Sequence, residues 1–170
     1  FALALMRAPP TAPTQPPTEP TDLRNWTALK ASVGAAQFVG VEGLTIAVQD
    51  LGVSINQGGG TKDDGANTTV VDFGAKSLNI KTGPDAQDVI TFDFRGSQGS
   101  LLEASGRVTI DVFGFFFVSG SFGFVKRTET VTLYDTATKT NIPNVKVDLL
   151  AVGAQGVDAF AGVNGPYWSD

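Results

Sequence analysis

The chain has 170 residues, of which 42% are hydrophobic and 17% charged, a composition that suits one folded domain with a hydrophobic core. It contains no cysteine and no histidine, which excludes thiol redox chemistry, thiolate metal sites and nucleophilic triads that depend on histidine. The net charge is −5 and no basic cluster exceeds Lys126-Arg127, so nucleic acid is a poor partner.

The first element is a short apolar strand over residues 1–6, in which Phe1, Leu3 and Leu5 share one face. It is expected at a sheet edge, paired either within the chain or, as a donated assembly strand, with a neighbouring copy. Residues 7–23 hold most of the nine prolines, which favours an extended linker or long loop. The β module itself is then residues 24–170.

Short strands with a two-residue period fill the next part of the chain. The apolar positions change parity near Gln49-Asp50, which predicts a bulge or bend. Residues 57–67 read as a polar turn, and further strands are predicted over 69–73, 77–81 and 89–94.

The longest alternating pattern covers residues 102–124 and predicts two strands that fold over near Gly114. Its phenylalanines are expected to pack in the core, with a lipid groove as the alternative. A hairpin is predicted around the polar loop 136–144, and residues 152–170 read as a glycine-rich tail.

No segment combines helical periodicity with capping residues, and no apolar run approaches the roughly 20 residues of a membrane span. The sequence therefore predicts an all-β fold without a membrane span. The expected architecture is an elongated β-sandwich or sheet-on-sheet repeat module, and β-solenoid-like stacking is the alternative.

Because cysteine and histidine are absent, carboxylates are the main remaining candidates for metal binding or catalysis. Asp63, Asp64 and Asn67 offer the oxygen ligands that calcium prefers, but their spacing differs from that of an EF-hand loop. A calcium site at these three residues is one hypothesis, and solvated turn residues are the other. No pair of acidic residues has the pattern of a catalytic dyad. We therefore expect that the chain is not an enzyme and needs no cofactor.

Four segments resemble repeats of very large, adhesin-like surface and secreted proteins of bacteria. They are FALALM (1–6), WTALKASVGAAQFVGVEGLTIAVQDLGVSIN (26–56), LLEASGRVTIDVFGFFFVSGSFGFVKR (101–127) and VDLLAVGAQGVDAFAGVNG (147–165). The resemblance implies a tandem β-repeat unit, pairing of residues 1–6 with 26–36, and a chain that begins and ends at a junction between repeats.

These observations together lead us to expect a non-catalytic structural repeat of an extracellular or cell-surface bacterial protein or fibre. Its partners would be copies of itself or adjacent repeats, and its acidic surface would keep the assembly dispersed in water. The alternative is a module that binds a glycan or a lipid and is displayed on a surface stalk.

Overall fold

The computed structural model describes residues 1–9, 22–38, 40–63 and 65–166. Within these ranges the chain forms ten β-strands and one short 3-10 turn, Gly96–Gln98, which confirms the predicted all-β fold. None of the described helical structure is long and apolar enough to cross a membrane. The strands are β1 (Ala2–Arg7), β2 (Asn25–Phe38), β3 (Leu44–Gly59), β4 (Thr61–Lys62), β5 (Gly65–Ala66), β6 (Leu78–Lys81), β7 (Val89–Phe92), β8 (Leu101–Val112), β9 (Phe116–Asp135) and β10 (Thr140–Ala161).

Six of these strands form one large sheet in the order β1-β2-β3-β8-β9-β10. The pair β1–β2 is antiparallel, with Leu3 opposite Leu29 and Arg7 opposite Asn25. Two small antiparallel ladders accompany this sheet, β4 with β5 and β6 with β7. Strands that follow one another in the chain are neighbours at most positions, as expected where short turns connect antiparallel strands.

The chain divides into two compact units, to which all five long strands contribute. Unit 1 comprises Phe1–Lys30, Ser54–Leu102 and Lys126–Leu150, and unit 2 comprises Ala31–Val53, Glu103–Val125 and Ala151–Asp170.

Unit 1 contains an aromatic core. The rings of Phe73, Phe92 and Phe94 lie with their centroids 5.4 to 6.3 Å apart, and Phe92 is fully buried. These distances are typical of packed aromatic pairs, which contribute beyond their buried area. The other buried hydrophobic residues, Ala2, Ala28 and Leu101, belong to the same unit.

Unit 2 is different, because none of its described hydrophobic residues is buried. Its strands all belong to the large sheet. The expectation that the phenylalanines of residues 102–124 form a core is wrong for several of them, since Phe113, Phe115, Phe116 and Phe122 are exposed. The physical reason is that no second layer of described residues covers this part of the sheet.

The turn predicted near Gly114 is confirmed, since β8 ends at Val112 and β9 begins at Phe116. A bend in β3 is also present, because Asp50 has a φ of 51° within that strand. Three predictions are wrong. Residues 69–73 form no strand, the β9–β10 loop is shorter than expected, and β10 continues to Ala161 where a tail was predicted.

Candidate functional site

Strand β1 lies at one edge of the large sheet and pairs with β2 of the same chain. Of the two predicted alternatives, the structure therefore shows the first, in which β1 pairs within its own chain and is not donated to a neighbour. Its side chains alternate, so that Ala2 is buried while Phe1, Leu3 and Leu5 point outward and are exposed. The predicted apolar face is thus present, but it faces solvent.

The other face of the β1–β2 pair contacts Thr69 and the residues that follow β7. Trp26 donates a hydrogen bond from Nε1 to Thr69 Oγ1 at 3.1 Å. The Lys30 ammonium lies 5.8 Å from the centre of the Phe94 ring and 3.0 Å from the Asp93 carboxylate. Ala2 and Ala28, the buried residues of this pair, have small side chains that allow this close approach.

The open sheet of unit 2 is a group of exposed hydrophobic side chains among the described residues. We use this name for ten exposed side chains on its strands and turns. They are Val33, Phe38, Val41, Phe113, Phe115, Phe116, Phe122, Val152, Val157 and Val163. Isolated exposed hydrophobic residues are common, whereas these ten belong to a unit in which no described hydrophobic side chain is buried.

The β8–β9 turn places the most exposed of these rings. Phe113 and Gly114 have φ values of 54° and 64°, and Phe115 N donates a hydrogen bond to Val112 O at 3.1 Å. Positive φ at both central positions defines a type I′ turn, which favours asparagine and glycine and is unfavourable for phenylalanine. Phe113 nevertheless occupies the first central position of this turn, with 76% of its surface exposed.

The structure describes two of the three residues of the calcium hypothesis, Asp63 and Asn67. Asp63 lies at the turn between β4 and β5 with a φ of 48°, and Asp64 lies outside the described residues. Among the described side chains no group of three acidic residues converges as a metal site would require. Calcium binding at these positions stays a prediction.

Asn67 joins three segments of backbone. Its Nδ2 donates to Asn25 O at 3.2 Å and to Gly59 O at 3.1 Å. Its Oδ1 accepts hydrogen bonds from Thr69 N at 3.0 Å and Thr69 Oγ1 at 2.6 Å. The amide oxygen that a cation would need is therefore already used in holding the loop.

A polar cleft of about 730 Å³ lies in unit 1. Six hydroxyl-bearing residues line it together with the amide of Asn67, and Lys146 supplies its one charge. The lining residues are Gly58, Asn67, Thr68, Thr69, Val70, Gly96, Ser97, Gly99, Ser100, Thr128, Thr130 and Lys146. The sequence analysis missed this cleft, because its hydroxyls come from three segments that the fold alone brings together.

Hydrogen bonds keep the carboxylates of Asp22 and Asp72 in unit 1 in their charged form, as they do that of Asp135. The side-chain hydrogen bonds from Arg24, at 2.7 and 2.8 Å, lower the pKa of Asp22 to about 2. Backbone N–H groups of Gly96, Ala75 and Gly74 lower the pKa of Asp72. Hydrogen bonds to an ionised carboxylate favour that form, which accounts for both directions.

These lowered pKa values predict a loss of stability in acid. A carboxylate whose pKa is lower in the folded than in the unfolded state stabilises the fold above its ordinary pKa of 3.8. That stability disappears as the pH falls toward the folded-state pKa, which for Asp22 is about 2. We expect the unfolding temperature, followed by circular dichroism, to fall as the pH drops from 3.8 toward 2.

Asp72→Asn provides the matched variant for this experiment. The amide oxygen can still accept the hydrogen bonds but does not titrate, so the acid-induced fall should be shallower than in the parent chain. An unfolding temperature of the parent that stays constant down to pH 2 would contradict the assignment.

The described residues thus offer three candidate sites: the outward face of β1, the open sheet of unit 2 and the polar cleft of unit 1. The first two consist of exposed hydrophobic side chains, and the third is lined by hydroxyl groups. The carboxylates of Asp22 and Asp72 are engaged in structural hydrogen bonds. Comparison with known proteins adds no assignment to these surfaces, since no family model, no curated protein and no solved structure matches the chain.

Proposed function

We propose that this chain is a non-catalytic structural module of an extracellular bacterial surface protein or fibre, whose partners are copies of itself or adjacent repeats. The observation that supports this proposal is that no described hydrophobic side chain of unit 2 is buried, so that its open sheet is left exposed. The resemblance of four segments to bacterial surface repeats points in the same direction.

A sheet with hydrophobic side chains needs a covering layer. Sheets become stable by packing an apolar face against another element, and a single layer has nothing to offset the loss of chain entropy. Burying one phenylalanine ring contributes about 1.5–3 kcal/mol. A neighbour that covered even a few of the exposed rings would therefore stabilise unit 2 substantially.

A protein neighbour suits the open sheet better than a lipid surface. The described part of unit 2 carries one basic residue, Arg107, among five acidic residues, so anionic membranes would repel it. The acidic residues are Glu42, Asp50, Glu103, Asp111 and Asp158. Copies of the module can instead pack their exposed hydrophobic side chains together.

Sedimentation velocity over a range of chain concentrations tests the proposal. We expect the chain to associate reversibly. Each ring that is removed should weaken this association about tenfold or more, because burying a ring contributes at least about 1.5 kcal/mol and about 1.4 kcal/mol corresponds to a factor of ten. The variants are Phe113→Asn and Phe115→Ser, both in the β8–β9 turn. Asparagine suits the positive φ of position 113, so this change should preserve or improve folding.

The matched control is Tyr134→Ser, which removes an exposed aromatic ring from unit 1 and should leave association unchanged. A parent chain that remains monomeric at every concentration would contradict the proposal. Equal association by the parent and both turn variants would contradict the role of the open sheet.

The polar cleft supports a glycan-binding module as the second candidate. Hydroxyl groups, an amide and one lysine suit a sugar with several hydroxyls, and they fit a lipid chain poorly. A glycan array with the parent chain and with Thr128→Val tests this candidate. A signal that the variant loses favours it, and an array without signal speaks against it.

A further inference from the structure

Asparagine is followed by glycine at one place in the sequence, Asn164-Gly165. This pair is chemically distinct, because an asparagine side chain can react with the backbone nitrogen of the next residue and close a five-membered ring. A side chain on that next residue crowds the nitrogen, and a β-branched one crowds it most, whereas glycine has no Cβ. The other asparagines precede larger residues, namely Trp26, Gln57, Thr68, Ile80, Ile142 and Val145.

The fold exposes the side chain of Asn164 and keeps a glycine after it. Strand β10 ends at Ala161, and Asn164 lies in the turn that follows, with an exposed side chain and a φ of 63°. The ring of Phe160 lies where a Cβ on residue 165 would be, and it also borders Gly162. Packing therefore requires glycine at position 165, so the fold itself maintains the reactive pair.

A second asparagine gives a comparison within the same chain. Asn144 is also exposed and has a φ of 61°, close to that of Asn164. It differs in the residue that follows, which is the β-branched Val145. Neither the exposure of the side chain nor the backbone φ distinguishes the two asparagines, whereas the following residue does.

We propose that Asn164 is a site of spontaneous deamidation, and that the product places a negative charge beside the open sheet of unit 2. Gly165 N loses its proton and attacks Asn164 Cγ. A C–N bond forms, the side-chain nitrogen leaves as ammonia with that proton, and a succinimide ring results. Water then opens the ring at either carbonyl, which yields aspartate or isoaspartate at position 164.

The product lies next to a member of the open sheet. Val163, with 70% of its surface exposed, precedes Asn164, and Gly162 N donates a hydrogen bond to Phe115 O at 2.8 Å. The described part of unit 2 carries five acidic residues and one basic residue, so a further carboxylate increases the repulsion between copies. This second part of the inference rests on the proposed association of copies through the open sheet.

Peptide mapping of the intact chain after incubation at mildly acidic and at alkaline pH tests the site. Trypsin cleaves after Lys139 and Lys146, so Asn164 is the single asparagine of the peptide that begins at residue 147, while Asn141 and Asn144 lie in residues 140–146. Fragmentation in the mass spectrometer locates the replacement of NH by O. We expect conversion at Asn164 to be at least about tenfold faster than at Asn141 and Asn144, which precede β-branched residues.

Conversion should also be faster in alkali, which removes the proton from the attacking nitrogen. Asn164→Gln should abolish the fast change, since glutamine would have to close a six-membered ring, and Asn144→Gln is the matched control that should leave it. An Asn164 that stays unconverted, or that converts no faster than Asn144, would overturn the assignment.

Sedimentation velocity on the converted chain, separated from the parent by anion exchange, tests the effect on association. We expect a dissociation constant raised about fivefold, as for one like-charged pair in close contact in water, and a smaller difference at high salt. Equal association of both forms would reject the second part of the inference and leave the modification site in place. A parent chain that stays monomeric would instead reject the proposed function, and peptide mapping would still decide whether Asn164 is modified.

Discussion

Replacing Phe92 by alanine should destabilise unit 1 by about 3–5 kcal/mol, the usual cost of removing a phenylalanine from a packed core. Phe92 is fully buried, and its ring lies 5.4 Å from that of Phe73 and 5.8 Å from that of Phe94. Phe92 packs against both other rings, so its removal leaves a cavity in the aromatic core. A loss of this size is comparable to the whole stability of many domains, about 5–15 kcal/mol.

Urea unfolding, followed by the fluorescence of Trp26 in a chain whose other tryptophan is removed by Trp168→Phe, measures this change. Trp26 contacts Thr69 in the same unit and therefore reports on its packing. Phe116→Ala is the matched control, since that ring is 43% exposed in unit 2 and should shift the unit 1 transition little. If the two variants had equal midpoints, the aromatic core would not be the main source of stability in unit 1.

Replacing Asn67 by alanine should cost about 2 kcal/mol, because several partly exposed hydrogen bonds are lost and their partners are left less well satisfied. The side chain makes four such contacts, to Asn25, Gly59 and Thr69. The loop that it holds also lines the polar cleft. We expect a lower unfolding temperature and faster proteolysis near residues 57–67.

This variant also separates the two hypotheses for Asp63, Asp64 and Asn67. If Asn67 serves as a brace, calcium or a chelator should leave the unfolding temperature of both parent and variant unchanged. Val70→Ala, a change on the same loop that removes no hydrogen bond, serves as the control. A calcium-dependent rise in the parent that the Asn67→Ala variant lacks would instead support the calcium site.

Periodicity and turn residues were sufficient to predict much of the fold. The alternation over residues 102–124 and Gly114 located the β8–β9 hairpin, because strands alternate and glycine accepts a positive φ. The parity change at Asp50 likewise predicted the bend in β3. These are local properties, and local sequence determines them.

The features that the sequence did not predict depend on contacts between distant segments. Alternation in β1 separates two faces, but it does not say that the small Ala2 faces inward while Leu3 and Leu5 face solvent. That choice depends on the close approach of the segment around Phe94. The glycine-rich stretch after Val152 lacks strand propensity and was interpreted as a tail, yet pairing with β9 makes it part of β10.

The burial of a single small side chain in β1 has a consequence for how the molecule opens. Ala2 is the buried hydrophobic residue of that strand, so backbone pairing with β2 holds most of it in place. Local opening of such a strand exposes little apolar area and costs less free energy than opening the aromatic core. Amide hydrogens of β1 should therefore exchange with solvent before those of β7, without unfolding of the remaining sheet.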